Sequence, residues 1–177
     1  LKIKTASVVL IPIRIISYEK FINIVNMDQL WVGIYFGATL VVVLYNLFLY
    51  ISIKDIRYLW YVLFIFVWGI SQFIWYGLAF EYFWPNAPKW ADMAMPFFYA
   101  LTSLVTLKFT QEFLETKNYS KLMNSVINIM LVLAGILTVS TLFIPYRQAI
   151  QLSDIMAVIC ASIFIISAFI CWKNGFN

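Results

Sequence analysis

From Gln29 to Ile53 the chain carries no charged residue. Wound as an α-helix, a run of about 25 residues spans roughly 38 Å, enough to cross a hydrocarbon core of about 30 Å with some tilt. A helix also satisfies its own backbone hydrogen bonds, which lipid cannot do for it. Four more uncharged runs follow: Tyr58 to Phe80, Met93 to Leu107, Leu122 to Tyr146 and Ile155 to Trp172. The third is short. It extends backward through Trp90 and forward through Phe109 and Phe113, with its charged ends snorkelling to the interface. The expected spans are 29–53, 58–82, 90–114, 121–145 and 152–173, and the expected fold class is an all-α transmembrane helical bundle.

Composition supports lipid as the main solvent. Hydrophobic residues make up 64% of the chain and charged residues 11%, against about 25% charged in a soluble domain. The net charge of +4 would hint at nucleic-acid binding in a soluble protein. Here it reflects basic residues held at one membrane face, and no nucleic-acid partner is expected. Trp31, Tyr35, Tyr50, Tyr58, Trp60, Tyr82, Trp84, Trp90, Tyr146 and Trp172 fall near the expected interfaces, as aromatic belts do. Pro85 and Pro88 lie in the second connection, where Asn86 would cap the third helix with Pro88 in its first turn. Pro96 would kink that helix, and Pro145 would end the fourth.

Loop charges set the expected orientation. Lys54 and Arg57 lie in the first connection, Lys108, Lys117 and Lys121 in or beside the third, and Lys173 after the fifth span. The second and fourth connections hold only Lys89 and Arg147. The positive-inside rule places the first and third connections in the cytoplasm and the start of the first helix outside. Lys2, Lys4, Arg14 and Lys20 oppose this if counted alone, but long translocated domains escape the rule.

Residues 1–28 differ from the rest. Lys2–Ile3–Lys4 alternates, and Val8 to Ile16 is rich in β-branched residues around Pro12. The pattern predicts a β-strand with Pro12 at an edge or bulge, followed by a linker from Ser17 to Asp28. A lone strand needs partners, so both ends of the sequence read as cuts through a longer protein.

Few residues suggest chemistry. Histidine is absent. Cys160 and Cys171 lie in or beside one apolar run and form no disulfide framework. No phosphate loop, in-span carboxylate pair or zinc-ligand spacing occurs, so no catalytic residue, cofactor or metal site is expected. Lys108 and Glu112 stand at i,i+4 near the end of the third span. An interfacial ion pair of about 0.5 kcal/mol is favoured over an intramembrane charge relay. Gly33 and Gly37 form a GxxxG pattern, read first as packing within the bundle and second as a dimer contact. Asn46, Gln72, Asn124 and Asn128 are amides in or near spans, read as interhelical hydrogen-bond glue rather than a ligand cavity. Asn124 and Asn128 share a helical face.

Several segments together resemble a known family. They are Gly33-Ile34-Tyr35-Phe36-Gly37, Leu44-Tyr45-Asn46-Leu47-Phe48-Leu49-Tyr50, and Asp55-Ile56-Arg57-Tyr58-Leu59-Trp60-Tyr61. Gly77-Leu78-Ala79-Phe80, Trp84-Pro85-Asn86, Phe109, Phe113-Leu114 and Trp172-Lys173-Asn174-Gly175 follow in order. The chain resembles the bacterial seven-transmembrane receptors with diverse intracellular signalling modules. The resemblance implies five spans of a seven-helix bundle, with Gly77 among the packing residues, and residues 1–28 as the end of an extracytoplasmic β-sandwich. It also implies a multi-pass sensory receptor of the bacterial inner membrane. An unknown extracytoplasmic ligand, carbohydrate-like by family analogy, would signal to a cytoplasmic module of the same full-length chain, and a homodimer would be consistent with that role. The competing expectation is a fragment of a solute transporter or channel, for which Pro96 and the short third run are the best signs.

Overall fold

The computed structural model describes residues 17–173, all of whose regular elements are helical. The strand expected before Ser17 lies outside the described residues. The helices are α1 (Tyr18–Ile53), α2 (Ile56–Trp75), α3 (Leu78–Tyr82), α4 (Pro88–Phe113), α5 (Thr116–Tyr119), α6 (Lys121–Ser140) and α7 (Tyr146–Lys173). Five of them, α1, α2, α4, α6 and α7, are long and apolar enough to cross a membrane.

Their limits differ from the expected spans for local reasons. α1 begins at Tyr18, not near Gln29, because Ser17 caps it and Glu19 favours the positive end of the helix dipole. The uncharged run marked the lipid-length portion of a longer helix. The second expected span divides at Gly77, whose φ of +77° ends the turn after α2 and starts the short α3. α4 opens with Pro88 at its first position, as such a ring prefers, but its cap residue is Ala87 rather than Asn86, and no side chain bonds the free N–H groups. Pro96 lies inside α4 without ending it. α6 stops at Ser140, ahead of Pro145. Hydroxyls of Thr138, Ser140 and Thr141 bond carbonyls one turn back, a local competition that weakens helix continuation. Pro145 instead precedes α7, which starts at Tyr146 because Arg147, Gln148, Gln151 and Asp154 interrupt hydropathy but not helicity.

α4 is the central helix. It packs against α2, α6 and α7, whereas α1 touches only α2. Leu107 of α4, Met123, Ile127 and Ala134 of α6, and Met156, Cys160 and Ile163 of α7 form the buried core. Lipid supplies no hydrophobic drive between helices, so this cluster holds by close packing and buried hydrogen bonds. Ser71 of α2 meets Thr102 of α4 at 3.3 Å. Ser153, Cys160 and Cys171 of α7 donate to the carbonyls of Pro96, Ser103 and Leu114. Each of these three pairs is offset by 57 residues, so α4 and α7 run parallel in one register.

The glycines divide otherwise than the sequence suggested. A Cβ built on Gly33 or Gly37 meets nothing within 4 Å, and the same holds for Gly77. Gly33 and Gly37 therefore form no packing contact within the described bundle, and Gly77 serves the turn. The close approach of α1 to α2 occurs at Gly69, where a Cβ would stand 3.6 Å from Thr39 Cγ2, beside the edge-on contact of Phe36 with Phe73 at 5.2 Å. Replacing both Gly33 and Gly37 by alanine is expected to leave the isolated domain at least as stable as wild type, because an added Cβ meets nothing and alanine is the better helix former. Denaturant unfolding in micelles checks this.

Candidate functional site

The end of the bundle that carries Lys54, Arg57, Lys108, Lys117 and Lys173 holds a continuous polar junction. Its first member is made by the start of α2. Asp55 caps that helix, accepting from the Arg57 backbone N–H at 2.9 Å, and pairs with the Arg57 guanidinium at 2.8 Å. The other side of the same guanidinium reaches Glu115 at 3.0 Å, in the turn between α4 and α5. Glu115 adopts φ +45°, an uncommon conformation for a residue with a Cβ, and Asn118 donates to its second oxygen at 3.1 Å. Arg57 thus ties the start of α2 to the exit of α4.

The second member ties α4 to α6. Lys108 Nζ bonds Glu112 and, at 2.8 Å, Gln111 Oε1, and it stands 5.8 Å from the Trp60 ring of α2. Gln111 Nε2 donates to Asn124 Oδ1 and Asn128 Oδ1, each at 2.8 Å. Thr116, fully buried, adds a contact to Asn124 at 3.4 Å. A cleft of about 450 Å³ opens here, lined by Lys108, Gln111, Glu112, Asn124 and Asn128 among others.

Beside the junction lies a larger apolar groove of about 840 Å³. Tyr61, Phe64, Phe109 and Phe113 supply its aromatic wall, with Phe64 and Phe109 stacked at 6.0 Å. Phe164 of α7, Asn46 of α1, and Asp55 and Arg57 at the start of α2 also line it. α1 and α7, which each contribute one residue to its lining, make no contact with each other. Asn46 gives its amide hydrogen to Val42 O within its own helix at 2.8 Å. Gln72 is half-buried on α2 and lines neither cavity.

Of the residues singled out from the sequence, Lys108, Glu112, Asn124 and Asn128 come together in the junction, Asn46 lies at the groove, and Gly33, Gly37, Gln72 and Gly77 stand apart. Gln111, Arg57 and Glu115 were not singled out as site residues. Gln111 sits one turn from Lys108 on the face that meets α6, but no local spacing marks it as the hub. Arg57 and Glu115 are 58 residues apart, and only the packing of α2 on α4 brings them together.

The arrangement is one of charge pairs and amide hydrogen bonds at the junction of three helices. Among the described residues no group of three or more His, Cys, Asp or Glu residues could hold a metal ion. The backbone N–H and guanidinium of Arg57 hold the Asp55 carboxyl below its ordinary value, against a smaller opposing effect of burial. The sign follows: a depressed carboxylate stabilises the fold above its unfolded value of about 3.9, and the contribution is lost as pH falls through the lower folded value. Asp55→Ala removes the cap as well and is expected to cost about 1 kcal/mol. Asp55→Asn keeps a capping oxygen, so its deficit at neutral pH is expected to vanish in acid. Unfolding midpoints at neutral and acid pH check both.

The family described as 7TM diverse intracellular signalling matches residues 28–177. No curated protein and no solved structure matches the chain. The match covers most of the chain, all five long helices included, so the chain belongs to this family and is a membrane signalling receptor domain.

Proposed function

We propose, on the premise that this is a transmembrane domain of the seven-transmembrane diverse intracellular signalling family, that it carries a ligand signal from outside a bacterial cytoplasmic membrane to an output module inside. The residues that precede α1 belong, in this reading, to the end of an extracytoplasmic ligand-binding sandwich, whose ligand is carbohydrate-like by family analogy, and residues 18–28 extend α1 rather than form a linker. The basic end faces the cytoplasm, as the positive-inside rule directs. Any kinase, cyclase or phosphatase activity resides in the output module and not in these helices.

The observation that supports this reading best is the junction at the basic end. Receptor transmission needs an element with two packings of similar free energy that a distant event can bias. The Arg57 and Glu115 side chains are 41% and 39% exposed, so their pair is worth at most about 1 kcal/mol. A shift of that size changes a two-state ratio about fivefold. Such a contact is strong enough to set a resting state and weak enough for ligand binding to undo. Its place, where α2, α4 and α6 leave the membrane, is also where an output module would read helix movement.

Topology tests the orientation. Reporter fusions at Asp55 and Lys117 are expected to be active in the cytoplasm, and one at Asn86 outside. The reverse pattern would overturn the reading.

A further inference from the structure

The shared register of α4 and α7 places charges at depths that neither helix reveals alone. With an offset of 57 residues, Asp154 of α7 lies level with Phe97 of α4, and Lys108 of α4 lies level with Ile165 of α7. The layer free of charge in both helices runs only from residue 98 to residue 107 of α4, roughly 15 Å at 1.5 Å per residue. A hydrocarbon core is about 30 Å thick. Charged groups therefore enter it from one side or the other.

The basic side can retreat. Lys108 reaches toward its own helix's end, where Gln111 and Glu112 hold its amine, so this layer snorkels to the surface. Trp172, level with Glu115 in the turn after α4, stands at the same end. A boundary near Gln111 places the opposite one about 20 residues away, near residue 91 of α4 and 148 of α7. Trp90 and Tyr146 stand there, as interfacial aromatics do. Asp154 is then about 9 Å inside the hydrocarbon, on a short side chain that cannot reach out. Its side chain is exposed, and among the described residues it has no ion pair or hydrogen bond. Tyr99 and Tyr146 lie within electrostatic reach of it. A carboxylate cannot face lipid tails at that depth without a partner.

We infer that the Asp154 face of α7 is an interaction surface covered by a further transmembrane helix of the same receptor, one that presents a lysine or arginine at the depth of Asp154. The inference rests on the receptor reading above. Charge complementarity specifies the partner's chemistry. The exposed face of α7 that carries Asp154, Val158 and Ile165 at helical spacing supplies the place, and the family's seven spans against five long helices among the described residues supply the occupant. A second copy fits less well. Among the described residues the basic groups at this end are Lys20, Lys89 and Arg147, and Arg147 lies two turns nearer the surface than Asp154.

The test uses the full-length receptor in lipid nanodiscs, with Cys160 and Cys171 replaced by alanine and a nitroxide placed at Asp154→Cys. A reference label at Leu133→Cys occupies an exposed apolar position on α6. The label at residue 154 is expected to be immobilised, with collision rates several-fold lower than the reference for oxygen and near zero for a water-soluble nickel chelate. High oxygen accessibility means that the face meets lipid, and high nickel accessibility means a water-filled vestibule; either overturns the inference. A second measurement tests the cation. Asp154→Leu and Asp154→Lys are both expected to lower the thermal midpoint, since each leaves a buried cation unmatched or opposed. A raised midpoint for Asp154→Leu would contradict a cationic partner. Failure of either arm with the reporter topology intact counts against this inference alone, while a reversed topology counts against the receptor reading.

Discussion

Truncating Leu107 to alanine is expected to destabilise the bundle by about 2–5 kcal/mol, the largest effect of any single substitution considered. Leu107 is completely buried on the central helix. It joins Met123 and Ile127 of α6 to Met156, Cys160 and Ile163 of α7. In lipid the loss is one of packing, because leucine gains little by leaving the hydrocarbon. The cavity would sit where three helices meet, and α7 cannot shift against α4 to fill it without giving up the hydrogen bonds of Cys160 to Ser103 and of Ser153 to Pro96. Leu133→Ala on the exposed face of α6 is the control and is expected to stay within about 0.5 kcal/mol. Reversible unfolding of both variants in mixed micelles reads the difference.

Gln111→Leu is expected to cost about 1–3 kcal/mol and to loosen α6 from α4. The amide of Gln111 donates to both Asn124 and Asn128 and accepts from Lys108. Leucine fills a similar volume and offers no polar atom, so the half-buried Asn124 oxygen loses its main donor and the lysine keeps only Glu112. Asn128 is exposed and can turn to water, which holds the cost below that of two stranded groups. Gln111→Glu is the informative companion. The two asparagine amides can rotate to offer N–H where they now offer oxygen, and Lys108 gains a second anion. This variant is therefore expected to lose less than half of what leucine loses, as measured by the same unfolding experiment together with hydrogen exchange in α6.

The sequence read well where the physics is one-dimensional. Five helices of membrane length follow from the uncharged runs, because exclusion of charge from hydrocarbon acts on each helix separately. Helix ends were less legible. Tyr18 and Ser140 are set by capping and hydroxyl competition, to which hydropathy is blind. Gly77 looked like a packing residue and is a turn residue, since φ is not visible in a motif. The site was legible only in halves. Lys108 with Glu112 and Asn124 with Asn128 are periodic within one helix each. Gln111, which joins them, and the Arg57–Glu115 pair depend on which helices become neighbours. Asp154 was not singled out from the sequence, because only the offset between α4 and α7 relates its depth to the charges of α4.

Charge reversal in the full-length receptor tests whether the junction at the basic end couples helix packing to output. Arg57→Glu and Glu115→Arg each break the bridge between α2 and the exit of α4, and each is expected to shift basal output about fivefold in the same direction. The double variant restores opposite charges across the same 3.0 Å contact and is expected to return output toward wild type. Output unchanged in all three, with expression and topology normal, would contradict the claim.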